Sequence, residues 1–293
     1  HLLSRRQRQM CIRDRVYTIA QELWNFVMGI AYALMGKNVN SFTTPAINAI
    51  AQALGLGGNI GAWDYIKNTA FPLFLSMGAV FLNMFTLIGF CRQASNLKEG
   101  ITMEAWIELF IKLVIANILM TNCLDIMQEF TGFAITTTKV LLPKGVPTVI
   151  GGDYDAGFRL AMLMLAPIYL IISGVCSITV LIEILGRFLN LFMLMAVAPL
   201  ALSTLAGGRG LENSAIAWFK SFLTNALQII IIALVMQLCA GLNAGLTGMC
   251  NTGLLASWFD GAVAVILSLI FMPFMATAVK SSDNFLKRAF DLR

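Results

Sequence analysis

Residues 221–259, SFLTNALQIIIIALVMQLCAGLNAGLTGMCNTGLLASWF, contain no Asp, Glu, Lys or Arg. Residues 68–91 and 160–182 are equally free of charge. A helix of about 20 apolar residues matches the roughly 30 Å hydrocarbon core of a bilayer. Because lipid offers no hydrogen bonds to the backbone, the expected form of such segments is the α-helix. These stretches predict an all-α fold, a polytopic transmembrane helical bundle.

The composition of the whole chain supports this prediction. Hydrophobic residues make up 58% of the sequence and charged residues only 12%, where a soluble domain carries about 25% charged residues. The polar sequence is too short to coat a soluble core of this size. We therefore expect one transmembrane helical domain over residues 67–280 and no sizeable soluble domain.

Hydropathy and polar connections predict about six spans, or five if the second is not counted. The expected spans are residues 68–91, 103–124, 160–182, 188–205, 221–242 and 261–279. Residues 16–36 have apolar side chains at helical spacing beside polar ones, which is typical of an amphipathic helix lying in the membrane interface. Residues 16–66 are thus an interfacial helix and loop, and residues 281–293 a basic amphipathic tail.

Residues 1–15 are expected to be an adapter-derived artefact and no part of the natural protein. Residues 10–15, MCIRDR, resemble the translation of a transposase mosaic-end adapter used in preparing sequencing libraries. Without residues 1–15 the chain loses five Arg and one Asp, and its formal net charge falls from +5 to +1. The alternative is a basic arm that binds anionic lipid or nucleic acid.

Two pairs of opposite charges interrupt the apolar segments. Glu108 and Lys112 are four residues apart inside the predicted second span, where they can pair on one helical face. Glu183 and Arg187 have the same spacing in the tight turn expected between the third and fourth spans. Ionisable groups at membrane depth are costly unless they are paired or face a wet interior. Glu108 and Lys112 are thus either an interfacial salt bridge or a functional pair that faces a lumen.

The fifth predicted span carries amide side chains. Asn225 and Gln228 share one face of the helix. Such amides commonly form hydrogen bonds between helices, and this packing role stands beside a role in a substrate path. Gly241 and Gly245 form a G-x-x-x-G pattern, which permits close approach of two helices.

The sequence offers no constellation of catalytic residues. No histidine follows position 1, which removes histidine acid–base catalysis and the common zinc motifs from residues 2–293. No G-x-x-x-x-G-K-[ST] loop is present. The cysteines after residue 15 have no C-x-x-C spacing, so they read as small apolar side chains. We predict no catalytic, cofactor-binding or metal-binding residues and a protein that is not an enzyme.

Basic residues predict the orientation in the membrane. With six spans, the connections on the C-terminal side hold eleven Lys and Arg, and the opposite side holds three. Because cytoplasmic loops are enriched in Lys and Arg, a cytoplasmic C-terminus in a multi-pass protein of the cell membrane is expected.

The most distinctive stretch is residues 183–234, EILGRFLNLFMLMAVAPLALSTLAGGRGLENSAIAWFKSFLTNALQIIIIAL. An apolar helix containing Pro199 leads to a Gly-rich polar loop, then to Trp218-Phe219-Lys220, then to an apolar helix that carries Gln228. This arrangement resembles the TrbL type of conjugal transfer protein, a polytopic inner-membrane component of type IV secretion systems. The version encoded on integrative elements of Gram-positive bacteria is most similar in size and layout, and the likeness in layout covers residues 66–280.

The resemblance implies a function without cofactors. It implies a homo-oligomeric membrane channel or scaffold that joins other secretion subunits and an ATPase, with relaxase-bound DNA as a substrate only in transit. Pro199 would kink its helix, and Trp218 and Lys220 would anchor the loop at the bilayer surface. The residues alone leave a second class open, a small-solute transporter or permease subunit. Proline-broken helices suit such a transporter, but the two halves of the chain show no convincing repeat.

Overall fold

The computed structural model describes residues 19–35, 62–95, 103–142, 156–207, 210–252 and 262–289. Within these ranges the chain forms six helices and no strand, so the predicted all-α class is confirmed there. Helix α1 covers residues 19–34. The others are α2 (Ala62–Tyr65, a π-helical turn at Ile66–Ala70, then Phe71–Ser95), α3 (Met103–Leu141), α4 (Ala156–Ser203, followed by a 3-10 turn at Thr204–Gly207), α5 (Glu212–Thr252) and α6 (Ala262–Ala289).

Four of these helices are long and apolar enough to cross a membrane. The qualifying segments are Ile66–Cys91, Trp106–Leu141, Ala166–Gly207 and Glu212–Leu246. The prediction of six spans, or of five, is therefore too high for the part of the chain that the structure describes. The predicted last span, residues 261–279, falls mostly within α6, which is not one of the four.

The main correction concerns α4, which is one helix where two spans were predicted. The expected turn between residues 182 and 188 does not exist, because α4 continues without a break through Glu183 and Arg187. These residues include no proline, and an i,i+4 pair of opposite charges favours a continuous helix. The helix has 48 residues, about 72 Å at 1.5 Å per residue, which is more than one crossing requires.

The chain divides into two compact units, and the long helices contribute to both. The first unit contains His1–Ile47, Ile135–Gly186 and Gln228–Phe285, and the second contains Asn48–Ala134, Arg187–Leu227 and Leu286–Arg293.

In the second unit, α2 and α3 pack against the C-terminal part of α4 and the first turns of α5. Aromatic, aliphatic and sulfur-containing side chains fill this core. Its main cluster contains Phe71, Cys123, Leu124, Met127, Leu191, Met195, Ala198, Phe222 and Ala226. A smaller cluster joins α2 and α3 to the turn after α4 through Leu82, Ala116, Met120 and Ala206. Because no charged side chain belongs to either cluster, this interior suits tight packing between helices.

In the first unit, α1 is enclosed by other parts of the protein. Residues 27–32 are buried without interruption, and this run is longer than one helical turn, so every side of the helix is covered. A Cβ atom added to Gly174 of α4 would lie 3.6 Å from Leu23 Cδ2. Residues 27–32 of α1 are therefore packed inside the protein, whereas Ile19 and Leu23 near its start are exposed.

Several sequence predictions fall outside the described residues. They are the adapter-like residues 1–15, residues 36–61 of the interfacial helix and loop predicted over 16–66, and residues 290–293 of the predicted basic tail. The described part of that tail continues α6, with Leu286 buried and Lys287 and Arg288 in its last turn.

Candidate functional site

Trp218, in the second turn of α5, fastens that helix to α4. Its indole Nε1 donates a hydrogen bond to the backbone carbonyl of Leu194 over 3.2 Å. The ring stacks on Phe222 one turn later, with centroids 6.0 Å apart and planes inclined by 16°. A tryptophan that is half-buried in this way satisfies its polar tip and its apolar body at once. This hydrogen bond links two helices of the second unit.

Pro199 lies next to this link on α4. Proline has no N–H group and cannot donate to the carbonyl of Met195, four residues earlier. The side chain of Pro199 is buried, and its backbone contacts Gly78 of α2. A Cβ atom at Gly78 would stand only 2.9 Å from the Pro199 carbonyl oxygen and 3.0 Å from the carbonyl carbon. The close approach of α2 to α4 therefore requires a residue without a side chain at position 78.

Phe222 extends the contact to α3. Its ring lies 6.0 Å from that of Phe130, tilted by 54°. A row of three aromatic rings, those of Trp218, Phe222 and Phe130, thus joins α5 to α3. Trp218 also forms the hydrogen bond to Leu194 of α4. We call Gly78, Leu194, Pro199, Trp218 and Phe222 the crossing site.

Lys220 and Trp218 were predicted to anchor a loop at the membrane surface. Lys220 is exposed, and its carbonyl oxygen accepts a hydrogen bond from Thr224 Oγ1 over 2.8 Å. Trp218, by contrast, packs partly into the main cluster of the second unit. Trp218 therefore contacts protein with both its ring and its N–H group, and only Lys220 faces away from the core.

Glu108 and Lys112 form the predicted ion pair. Lys112 Nζ lies 2.7 Å from Glu108 Oε1, and the two side chains are 38% and 61% exposed respectively. The pair lies within the first two turns of the candidate span Trp106–Leu141. Trp106 beside it packs against Phe90 of α2, with ring centroids 5.1 Å apart. A charged pair and a tryptophan at the end of a span are typical of a membrane interface.

Single neutral substitutions of this pair are expected to reduce membrane insertion more than the double substitution does. Glu108→Gln or Lys112→Gln leaves one unpaired charge, which costs up to about 3 kcal/mol at mid-membrane and less near a helix end. Glu108→Gln/Lys112→Gln removes both charges. The measurement is the inserted fraction of each variant at equal expression. Additive defects in the double variant would show that the two residues act separately.

Glu183, Arg187 and Gln228 lie elsewhere on α4 and α5. Glu183 belongs to the first unit and Arg187 to the second, and both are half-buried. Gln228 is completely buried in the first unit. Its predicted companion Asn225 instead donates to the carbonyl of Ser221 over 2.8 Å.

The G-x-x-x-G pattern of α5 does not mark a helix crossing among the residues that the structure describes. A Cβ atom added at Gly241 or Gly245 would meet nothing within 4 Å. Among the described residues, no group of three or more His, Cys, Asp and Glu side chains could hold a metal ion. Cys123, Cys176 and Cys239 are buried free thiols.

The sequence analysis missed the glycines that contact α4 and the turn after it. Gly89 repeats the role of Gly78, because its Cβ atom would lie 3.0 Å from the carbonyl oxygen of Ala206. The two glycines are eleven residues apart, close to three helical turns, and therefore share one face of α2. This spacing was visible in the sequence. It does not reveal the partner, which lies more than 100 residues away along the chain.

Comparisons with known proteins give no relative for this fold or site. No family model matches the chain, and neither a curated protein nor a solved structure is significantly similar to it.

Proposed function

We propose that the chain is a channel or scaffold subunit of a conjugative type IV secretion system in the cell membrane. In this role it assembles with other copies of itself, with other membrane subunits and with an ATPase, and helps relaxase-bound DNA to cross the membrane. The proposal depends on the TrbL-like stretch at residues 183–234. Four helices able to span a membrane are compatible with it.

The observation that carries the proposal is the way this stretch folds. The Pro199 helix and the Gln228 helix are joined by a Gly-rich connection and fastened by the Trp218–Leu194 hydrogen bond. The motif residues are therefore used to fix two long helices against each other. Such a rigid pair suits a subunit that works by assembly.

A cytoplasmic C-terminus remains part of the proposal after the span count is corrected. With the four candidate spans as the crossings, nine Lys and Arg of residues 16–293 lie on the C-terminal side and four on the other. The nine are Lys37, Lys67, Lys139, Lys144, Arg159, Lys280, Lys287, Arg288 and Arg293; the four are Arg92, Lys98, Arg209 and Lys220. The excess of positive charge favours the C-terminal side as cytoplasmic.

A clean deletion of the gene is expected to abolish conjugative transfer of the host element while relaxase nicking at the origin of transfer continues. Nicking precedes membrane passage, so only the later step depends on a membrane subunit. Transfer frequency and nicked DNA are measured in the same cells, with a complementing copy as the control. Normal transfer in the deletion strain would refute the secretion role.

The same strain separates secretion from small-solute transport. Neighbouring genes for a conjugative ATPase, a coupling protein or a relaxase would favour secretion. A locus within a metabolic operon, together with loss of uptake of one solute in the deletion strain, would favour the transporter.

A further inference from the structure

Among the described residues of the first unit, several buried side-chain polar atoms have no hydrogen-bond partner. On α1 these are Trp24 Nε1, Asn25 Oδ1 and the Tyr32 hydroxyl, and on α5 they are both amide atoms of Gln228. On α6 one carboxylate oxygen, Asp283 Oδ1, is in the same position, although Asp283 interacts elsewhere. Trp24 is 2% exposed, and Tyr32 and Gln228 are 0% exposed. Buried donors and acceptors in folded proteins are nearly always paired, and those without a protein partner are commonly satisfied by internal water or another ligand.

Buried hydroxyl groups on α4 and α5, by contrast, have hydrogen-bond partners. Ser173 and Ser177 of α4 donate to carbonyls in their own helix, over 3.1 Å in each case. Thr224 of α5 does the same in the second unit, over 2.8 Å. Short hydroxyl side chains reach the backbone three or four residues earlier. The longer side chains of Gln228, Trp24 and Tyr32 place their polar atoms away from the helix backbone.

The unsatisfied groups of α1 and α5 include both hydrogen-bond donors and hydrogen-bond acceptors. The indole N–H donates, the Asn25 oxygen accepts, and the Gln228 amide and the Tyr32 hydroxyl do both. The four groups of α1 and α5 carry no charge at neutral pH, and burial raises the pKa of the Tyr32 phenol above its ordinary value. A neutral mixture of donors and acceptors suits water, which also donates and accepts, better than a cation or an anion.

Neither lipid nor a second copy of the chain can reach the Gln228 amide, because the residue has no exposed surface. We infer that the first unit has a hydrated interior, in which water molecules bind the Gln228 amide and the polar side chains of α1. The second unit differs, since all the buried side-chain polar atoms without a hydrogen bond among the described residues belong to the first unit. The interior of the first unit would therefore contain bound water and that of the second would not, in a protein whose outer helix faces are apolar.

Hydroxyl-radical footprinting of the purified full-length chain in nanodiscs tests this inference without a mutation. Brief radiolysis of water oxidises side chains next to bound water even when bulk solvent cannot reach them. Met28 of α1 and Met195 of the second unit are equally buried, at 0% and 1% exposure, and form a matched pair. Oxidation of Met28, Trp24 and Tyr32 with protection of Met195 is the expected result. Equal protection of both methionines would overturn the inference.

A substitution gives an independent measurement. Gln228→Met keeps the length of the side chain and removes its hydrogen-bonding atoms. If water is bound there, the variant loses those hydrogen bonds and its Tm falls; if the site is dry, an unsatisfied amide is removed and its Tm rises. Gln237→Met is the control on the same helix, because Gln237 is exposed. A rise or no change in the Tm of Gln228→Met, with Gln237→Met unchanged, would count against a hydrated interior. If Gln228→Met does not fold, the footprint of the wild-type protein decides alone.

Discussion

Gly78→Val is expected to prevent stable packing of α2 against α4, and Gly78→Ala to weaken it. The Cβ atom of either residue would lie 2.9 Å from the Pro199 carbonyl oxygen. That neighbour is helix backbone, so it cannot turn aside as a flexible side chain would. Overpacking of this kind typically costs about 1–3 kcal/mol for small additions. Because valine adds two more methyl groups than alanine, we expect Gly78→Val to lower the stability considerably more than Gly78→Ala.

The control for Gly78 is Gly132, which lies in the same unit on α3. A Cβ atom at Gly132 would meet nothing within 4 Å. Thermal unfolding in detergent compares Gly78→Ala and Gly132→Ala, and only the first is expected to lower Tm. If both variants unfold at the same temperature, the close approach of α2 to α4 in the second unit is wrong.

Trp218→Ala is expected to have the second large effect, a loss of stability below the range of about 3–5 kcal/mol for truncating a fully buried tryptophan, because Trp218 is half-buried. The variant loses the stacking on Phe222 and the hydrogen bond to the Leu194 carbonyl together. Trp218→Phe separates these contributions. It retains an aromatic ring against Phe222 and removes the N–H donor, worth about 0.5–1.5 kcal/mol, together with some packing volume because phenyl is smaller than indole.

Trp218→Tyr distinguishes this packing role from an anchor in the membrane interface. Tyrosine and tryptophan are both enriched at the interface, so an anchor would tolerate the exchange. In the crossing site, the phenol places its hydroxyl differently from the indole N–H and cannot reproduce the bond to Leu194. We expect Trp218→Tyr to be as unstable as Trp218→Phe or less stable. A Tm equal to that of the wild type would support the anchor.

The crossing site and the Glu108–Lys112 pair differ in how far the sequence could predict them. Glu108 and Lys112 are four residues apart on one helix, and their 2.7 Å contact follows from helix periodicity alone. Trp218 and Leu194 are 24 residues apart and on different helices. Their bond depends on how α5 turns back along α4. The sequence therefore marked Pro199 and Trp218 as notable residues but did not reveal the contacts that connect them.

The continuity of α4 was within reach of sequence reasoning. Residues 183–187 contain two charges that interrupt the apolar pattern, and these charges suggested a turn between two spans. The same charges sit at a spacing that stabilises a helix, and the segment contains no proline. A segment length matched to one bilayer crossing predicts a turn at these residues, whereas local helix propensity predicts a continuous helix. The structure shows the continuous helix.

Composition and local periodicity predicted helices and several segments apolar enough for a membrane, and the described residues confirm both. The number of spans, four where six or five were expected, and the choice of which apolar faces meet protein came from the folded chain. In a membrane, lipid-facing and protein-facing side chains are both apolar, so the pattern along one helix cannot distinguish them. The enclosure of α1, the contact of Gly78 with Pro199 and the burial of Gln228 all depend on distant segments, and for that reason they appear only in the folded chain.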